Sequence, residues 1–395
     1  MTMTKLSPLE YLQCEVACKH DKKFEKETWA ERIAHFKTLN LDDPKIIKGA
    51  SNPIGLKAAI LGYKDAAAGN PTGYMISLDA ASSGLQLLSL LVSCEKSFNL
   101  CGGDPTHCKS AYQAIYEAMG ISERLTYKQV KQACMTAFYG STATPEAVFG
   151  DHIELFYETM ERMAPGAWDL NQGLQDLWTV FTASDYSWVL PDNFHAYIET
   201  KKSELVPFSF LNTTYKMVKK IDGRPDFHKG LGPNVIHSVD GFIVREMFRR
   251  CSYDPKTITR VKDLLSMVAV GTTGKPAPMV QILWDHYKKT GFLSTRIFDY
   301  LFHDTMGLVD YTTIKNLIDT LPAKPFQMVS VHDCFRCHGN YGNDLRRQYQ
   351  LILADLNDST LLASMCSQVA GKRVPVKKLG KLTRQTILDS NYCLS

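Results

Sequence analysis

No stretch of this chain is apolar enough to cross a bilayer as a helix. Such a span needs about 20 apolar residues, and the longest candidate, around Leu85 to Val92, is short and broken by Ser89. The first residues, MTMTKLSPLEYLQCEVACKHDKK, are charged and lack the apolar stretch of a secretory leader. A strong charge of one sign is missing as well. The 45 Lys and Arg against 41 Asp and Glu leave a formal +4, too little to announce nucleic-acid binding, so any such reading has to come from local patches. Repeats and low-complexity segments are absent. The 11 cysteines are odd in number and irregularly spaced, which fits reduced thiols and not a disulfide framework. These absences predict a cytoplasmic protein.

What is present is 395 residues, 45% hydrophobic, enough for two or three domains with their own cores. Residues 1–48 read as charged, amphipathic helix. The segment after them has a helix-like centre and ends at Asn70, Pro71 and Gly73, a loop signal. YMISLDAASSGLQLLSLLVS then gives a short apolar strand, an aspartate, a small-residue turn and an apolar helix. Residues 105–165 are strongly helical. Residues 166–230 mix aromatic and basic residues with turns, and a helix is expected near Asn234. FQMVSVHDCFRCHGNYGN reads as strand, tight acidic turn, strand, before a helix near 344–357 and a basic tail.

Three segments carry chemistry. The first is LDAASSGLQ around Asp79, the second Lys131 followed by Tyr139-Gly140-Ser141, the third SVHDCF around Asp333. Nucleotidyl transfer needs two carboxylates close together to hold two Mg²⁺ ions about 4 Å apart. Phosphates and waters complete the shells of such hard cations. Alone, each aspartate is more simply a cap or a turn former. Arg124, Lys131 and Tyr139, at offsets of 7 and 8, would share one helical stripe able to grip a triphosphate. For that helix by itself a solvated basic face is the simpler account.

Together and in this order, the three segments resemble motifs A, B and C of the single-subunit, phage and mitochondrial type of DNA-directed RNA polymerase. SDYSWVLPDNF with Lys201 and Lys202 resembles that family's Trp–Pro–Asp segment. GPNVIHSVDG is similar to its signature before motif C, and ILDSNYCLS to its carboxyl terminus. The resemblance runs, with gaps, from about residue 75 to 395. It implies an α+β fold: a right-hand polymerase palm with an antiparallel sheet, plus mostly helical fingers, without thumb or N-terminal domain. The expected units are an N-terminal helical segment at 1–50, with Trp29, Ile33 and Phe36 as a candidate docking stripe, and palm at 51–104. Fingers follow at 105–230 and palm again at 231–395, with a helical insertion at about 251–325. By the same resemblance Asp79 and Asp333 would hold two Mg²⁺ with the carbonyl of Ala80. Lys131 would contact the triphosphate and act as general acid. Tyr139 would sense the ribose 2′-hydroxyl. Gly140 and Ser141 would lie near the template base, His237 near the hybrid and His332 near the RNA 3′ end.

The departures are also plain. Ala80 stands where the family usually has Gly. Tyr127 replaces the family's arginine before the motif-B lysine, leaving Arg124 or Lys128 to supply the charge. The hybrid-contact signature Asp/Thr-x-x-Gly-Arg does not occur upstream of Asp79. These features resemble two-polypeptide phage enzymes, in which a second polypeptide supplies the N-terminal domain and thumb. The expected partners are thus DNA template, NTPs, RNA transcript and that subunit, in a host cytoplasm. A reduced Pol I-like DNA polymerase and a silent nucleic-acid-binding scaffold are the alternatives. Gly84, where those DNA polymerases carry a glutamate, favours ribonucleotides.

Other motifs are weaker. Cys334-Phe-Arg-Cys337-His338 fits a haem-attachment pattern but is embedded in motif C and lacks an export signal. Cys14, Cys18 and His20, or Cys101, His107 and Cys108, fall short of four well-spaced zinc ligands. Gly271 to Lys275 lacks full P-loop spacing. The tail from Lys372 to Arg384 reads as a solvated segment, with phosphate contact the alternative.

Overall fold

The computed structural model describes residues 3–106, 108, 110–121, 125–179, 184–225, 230–267 and 274–395. The chain is an α+β protein, mostly helical, with small antiparallel sheets. Its described strands are β1 (Ile76–Asp79), β2 (Asp185–Val189), β3 (His195–Glu199), β4 (Lys201–Phe210), β5 (Thr213–Asp222), β6 (Val329–Val331) and β7 (Cys334–Cys337). No helix among the described residues is long and apolar enough to cross a membrane.

The central sheet has the order β1-β7-β6, antiparallel throughout. Side chains alternate across it. Ile76 and Leu78 of β1, with Phe335 and Cys337 of β7, are buried on one face. Ser77, Asp79, Cys334 and Arg336 take the other. The buried face rests on three helices, Ser83–Leu91, Leu231–Cys251 and Gly342–Asp358, with Phe335 against Tyr349 at 5.8 Å. The outer edge of β1 is not left bare. Glu15 accepts from the backbone N–H of Ser77 (3.3 Å), and residues 393–395 run alongside 79–81, with Asp79 N–H to the Ser395 carbonyl at 3.2 Å and the reverse bond at 3.0 Å.

The N-terminal helices Pro8–His20 and Trp29–Thr38 both open on capping boxes, Ser7 with Glu10 and Thr28 with Glu31. They pack inward. Trp29 and Phe36 are buried, Trp29 stacks on Tyr392 at 5.8 Å, and Ile33 is partly buried against the same core. The Trp29, Ile33 and Phe36 stripe is therefore spent inside this chain and does not offer a docking face.

Two parts differ from the pattern expected over 166–230. Pro165–Thr179 is a helix, because Ala167, Leu170, Leu174 and Trp178 recur at helical spacing and are all buried; the interspersed Asn171 and Gly173 obscure that period. Beyond it, β2 pairs with β3 and β4 with β5 in two hairpins. The β4–β5 ribbon is almost wholly exposed, turning through Leu211 and Asn212, both at positive φ (45° and 59°).

Residues 255–267 and 274–319 form a helical unit around Val261, Val280, Ile297 and Ile314, with a core of its own. An ionic network joins this unit to the rest. Asp192, 1% exposed, takes Arg245 (2.6 Å) and Arg249 (2.9 Å), and Arg249 also meets Glu246 (3.0 Å). Glu246 accepts from Ser294 and Thr295, and Arg296 donates to the Asp192 carbonyl at 2.7 Å. Arg250 carries the chain of charge on to Asp355 (3.0 Å), and Arg384 to Asp355 and Asp358.

The basic tail is anchored, contrary to the solvated segment expected. Lys378 donates to the carbonyls of Leu91 (3.1 Å) and Asn357 (2.8 Å), while the Leu379 and Leu382 N–H groups bond Val92 and Ser93. Burial lowers the Lys378 ammonium to about 8. Lys372, Arg373, Lys377 and Lys381 remain outside.

Candidate active site

Asp79 ends β1 and Asp333 sits in the two-residue turn between β6 and β7, so the sheet register brings them side by side. Asp79 pairs with Cys334, and the Ala80 N–H donates to the Asp333 carbonyl at 3.1 Å. Both aspartates are flanked by strained backbone. Ser82 (φ 54°) turns the chain from Asp79 into the following helix, and His332 (φ 55°) makes the β6–β7 turn possible. Left-handed non-glycine residues of this kind persist where surrounding structure holds them and collect at functional sites. The partly desolvated setting and the Asp333 charge push the Asp79 carboxyl above its usual range, with Lys26 and Lys131 opposing.

Lys131 projects from the Tyr127–Ala137 helix, its ammonium 6.0 Å from the Tyr112 ring, and Tyr112 bonds Ser82 of the Asp79 turn. Thr126 caps this helix with Gln129 in a capping box. Arg124, expected on one stripe with Lys131 and Tyr139, lies outside the described residues. Tyr127, in the place of the family's arginine, packs edge-on against Tyr116 (6.1 Å).

The helix stops in a Schellman arrangement. The Gly140 N–H bonds the Ala137 carbonyl (2.9 Å) and the Ser141 N–H the Thr136 carbonyl (2.9 Å), with Gly140 at φ 77°. This stop fixes Tyr139 at the helix end. Its ring stacks on His237 (5.3 Å, 11°), and its hydroxyl abuts Gly84 so closely that a methyl group there would fall 2.5 Å away. Gly140 and Ser141 line a neighbouring cavity of about 490 Å³ together with Trp168, Gln172 and Gln175.

His237 is exposed on the Leu231–Cys251 helix, and Asp240 follows three residues on, on the same face. Asp240 was not singled out in the sequence, although HSVDG contains it. Burial and the neighbouring Asp333 raise its carboxyl to about 6, with His332 opposing. Asp240 and Asp333 also act together to raise the Tyr139 hydroxyl, after burial. The structure thus links Asp79, Asp333, Asp240, Lys131, Tyr139, His237 and His332 through successive neighbours.

Among the described residues no three His, Cys, Asp or Glu side chains group closely enough to hold a metal by themselves. Two adjacent carboxylates that repel each other, beside a turn that presents the Ala80 backbone, nevertheless suit Mg²⁺, which takes few protein oxygens and leaves the rest to phosphate and water. The other motifs dissolve into structure. Cys334 and Cys337 are three apart on one strand and face opposite sides of it, so they cannot grip one haem edge together. Cys14 and Cys18 are buried thiols, and His20 pairs with His35 (3.0 Å). Cys101 and Cys108 are buried, and His107 lies outside the described residues. Residues 271–273 likewise lie outside, while Lys275 pairs with Asp304 at 3.4 Å. No protein-family model and no curated protein sequence matches this chain.

Proposed function

We propose that this chain is the catalytic palm and fingers of a DNA-directed RNA polymerase, acting with a second polypeptide on a DNA template, NTPs and an RNA transcript. The observation that carries the reading is the closeness of Asp79 and Asp333. Two carboxylates from distant parts of the sequence lie at neighbouring strand ends, with Lys131 acting on Asp79 and Asp333 on Tyr139.

Asp79, Asp333 and the Ala80 carbonyl would hold Mg²⁺, which when bound activates a 3′-hydroxyl and neutralises charge on departing pyrophosphate. Lys131 would place its ammonium on the triphosphate and give a proton to the leaving oxygen. The Tyr139 hydroxyl would accept or donate a bond to the ribose 2′-hydroxyl, and its contact with Gly84 supports ribonucleotide over deoxynucleotide use. A glutamate at position 84 would collide with that hydroxyl.

The test is extension of an RNA primer annealed to DNA, with NTPs or dNTPs and Mg²⁺, in the presence of the second polypeptide. Asp79→Asn or Asp333→Asn should abolish nucleotide addition and leave template binding nearly intact. Robust extension by either variant at ordinary Mg²⁺ removes the metal assignment.

A further inference from the structure

Beside Asp79, a cavity of about 270 Å³ opens between the N-terminal helices and the outer face of β1 and β7. Its walls include Lys26, Trp29, Arg32, Arg336 and Asp79 itself. We infer that this cavity binds a phosphate group, the linkage next to the 3′ end of the growing strand being the expected source. The inference rests on the polymerase reading for that source, and on the cavity's own chemistry for the phosphate.

That chemistry is unsatisfied in the protein alone. Arg32 is 3% exposed, and its guanidinium meets only neutral groups: the carbonyls of Glu25 and Glu27, the Cys108 thiol and the Ser395 hydroxyl. None of Lys26, Arg32 and Arg336 forms an ion pair with a described carboxylate; Arg336 lies instead against the Cys334 thiol. The indole N–H of Trp29, itself 3% exposed, has no hydrogen-bond partner. A buried cation without a counter-charge is costly, and Arg32 lines this cavity. A phosphate oxygen at the cavity wall would supply the counter-charge that Arg32 lacks.

The cavity's acids do not cancel this. Glu15 is taken up by Lys19 (3.3 Å), the Tyr74 hydroxyl and the Ser77 N–H, and Asp79 is the proposed metal ligand. Glu25 also faces the cations across the cavity. Position also selects the ligand. Asp79, the proposed metal ligand, is part of the cavity wall, so a strand whose 3′ end sits at that metal site would carry its nearest linkage toward Lys26 and Arg336. Lys26 and Arg336 are there to neutralise its phosphates, as cationic side chains do when they set a strand's register.

The experiment uses the full chain and the Lys26→Ala/Arg336→Ala double variant, both substitutions lying at exposed or half-exposed side chains. Binding of a fluorescein-labelled RNA primer–DNA template hybrid is read by anisotropy in Mg²⁺. A neutral methylphosphonate replaces each of the three linkages nearest the 3′ end in turn. Removal of one charged contact should weaken wild-type binding roughly three- to tenfold at one linkage, and the double variant should be insensitive there. In a second arm, inorganic pyrophosphate is titrated against thermal unfolding of both proteins. Stabilisation of wild type that the double variant loses, without any linkage effect, assigns the cavity to free anion and keeps the phosphate chemistry. Equal responses of wild type and variant in both arms overturn the inference. A hybrid that binds with the expected linkage pattern but is never extended, with the second polypeptide present, removes the polymerase reading and leaves the cavity assignment standing.

Discussion

Tyr139 shows how one residue collects several constraints. A glycine stop places it, His237 stacks on it, and Gly84 leaves only enough room for its hydroxyl. If the proposed function holds, Tyr139→Phe should keep polymerisation and accept dNTPs more readily, because the proposed bond to ribose alone is removed, a discrimination of roughly 1–3 kcal/mol. Competition between NTP and dNTP in single-nucleotide extension measures it, and an unchanged ratio puts sugar selection elsewhere. Gly84→Ala should disturb the same ratio through a contact and not through chemistry, because the new methyl forces the Tyr139 ring aside. Asp192 makes the corresponding case for stability. Burial alone would raise its carboxyl, but hydrogen bonds and charge from Arg245 and Arg249 hold it below the usual range. Its folded value is thus lower than the unfolded one near 3.9. The stabilisation is complete above about pH 5 and is lost as pH falls through the folded value. Asp192→Ala, which leaves two arginines without their buried partner, should cost about 3–5 kcal/mol at neutral pH. Denaturant titrations of both proteins at pH 7 and at stepwise lower pH should show the gap beginning to narrow below the unfolded value.

At the scale of elements, the β4–β5 ribbon stands apart. Its long strands contribute no buried side chain, and its cohesion comes from its own cross-strand pairs, such as Phe208 stacked on Tyr215 at 5.5 Å. An isolated two-stranded hairpin is marginal in water, so local opening should start here. Brief trypsin treatment should cut at Lys216, Lys219 or Lys220 before the core is touched, with mass spectrometry reading the first fragments. First cuts in the Leu231–Cys251 helix would contradict this ordering. The ribbon also marks where sequence reading ran out. Its residues carry lysines, aromatics and a proline without a clear period of two, because neither face is buried and nothing enforces alternation. Where one face is buried the pattern was legible: the strand, aspartate and helix around Asp79 stand as read, and so does the hairpin that carries Asp333. Pro165–Thr179 was not legible because polar and glycine positions interrupt its buried stripe. The cavity at Lys26 and Arg32, and Asp240, were not legible either, since only long-range packing brings them to Asp79.

Taken as a whole, the molecule joins a small antiparallel sheet, a helical layer and a separately cored helical unit, with the Asp192 network tying that unit to the Leu231–Cys251 helix. A nucleic-acid hybrid is held in register by phosphate contacts on both of its sides. We expect processive transcription to require the second polypeptide, measured as product length on duplex DNA with and without it. Long transcripts from the isolated chain would refute the two-polypeptide proposal and leave the catalytic assignment in place.

The way β1 is enclosed also bears on synthesis of the protein. Its neighbours are β7 on one side and residues 393–395 on the other, so the strand that ends in Asp79 pairs only with segments translated hundreds of residues later. Contacts so distant in sequence slow folding, because loop closure must precede any gain. While the ribosome is still working, helices on the 111–163 side can form from local contacts, but β1 waits unpaired, its apolar Ile76 and Leu78 covered by no more than the adjoining Ser83–Leu91 helix and the segments before it. Such an unpaired strand is a target for chaperones and a risk for aggregation. Expression yield should therefore respond more to chaperone supply than the finished protein's stability would suggest.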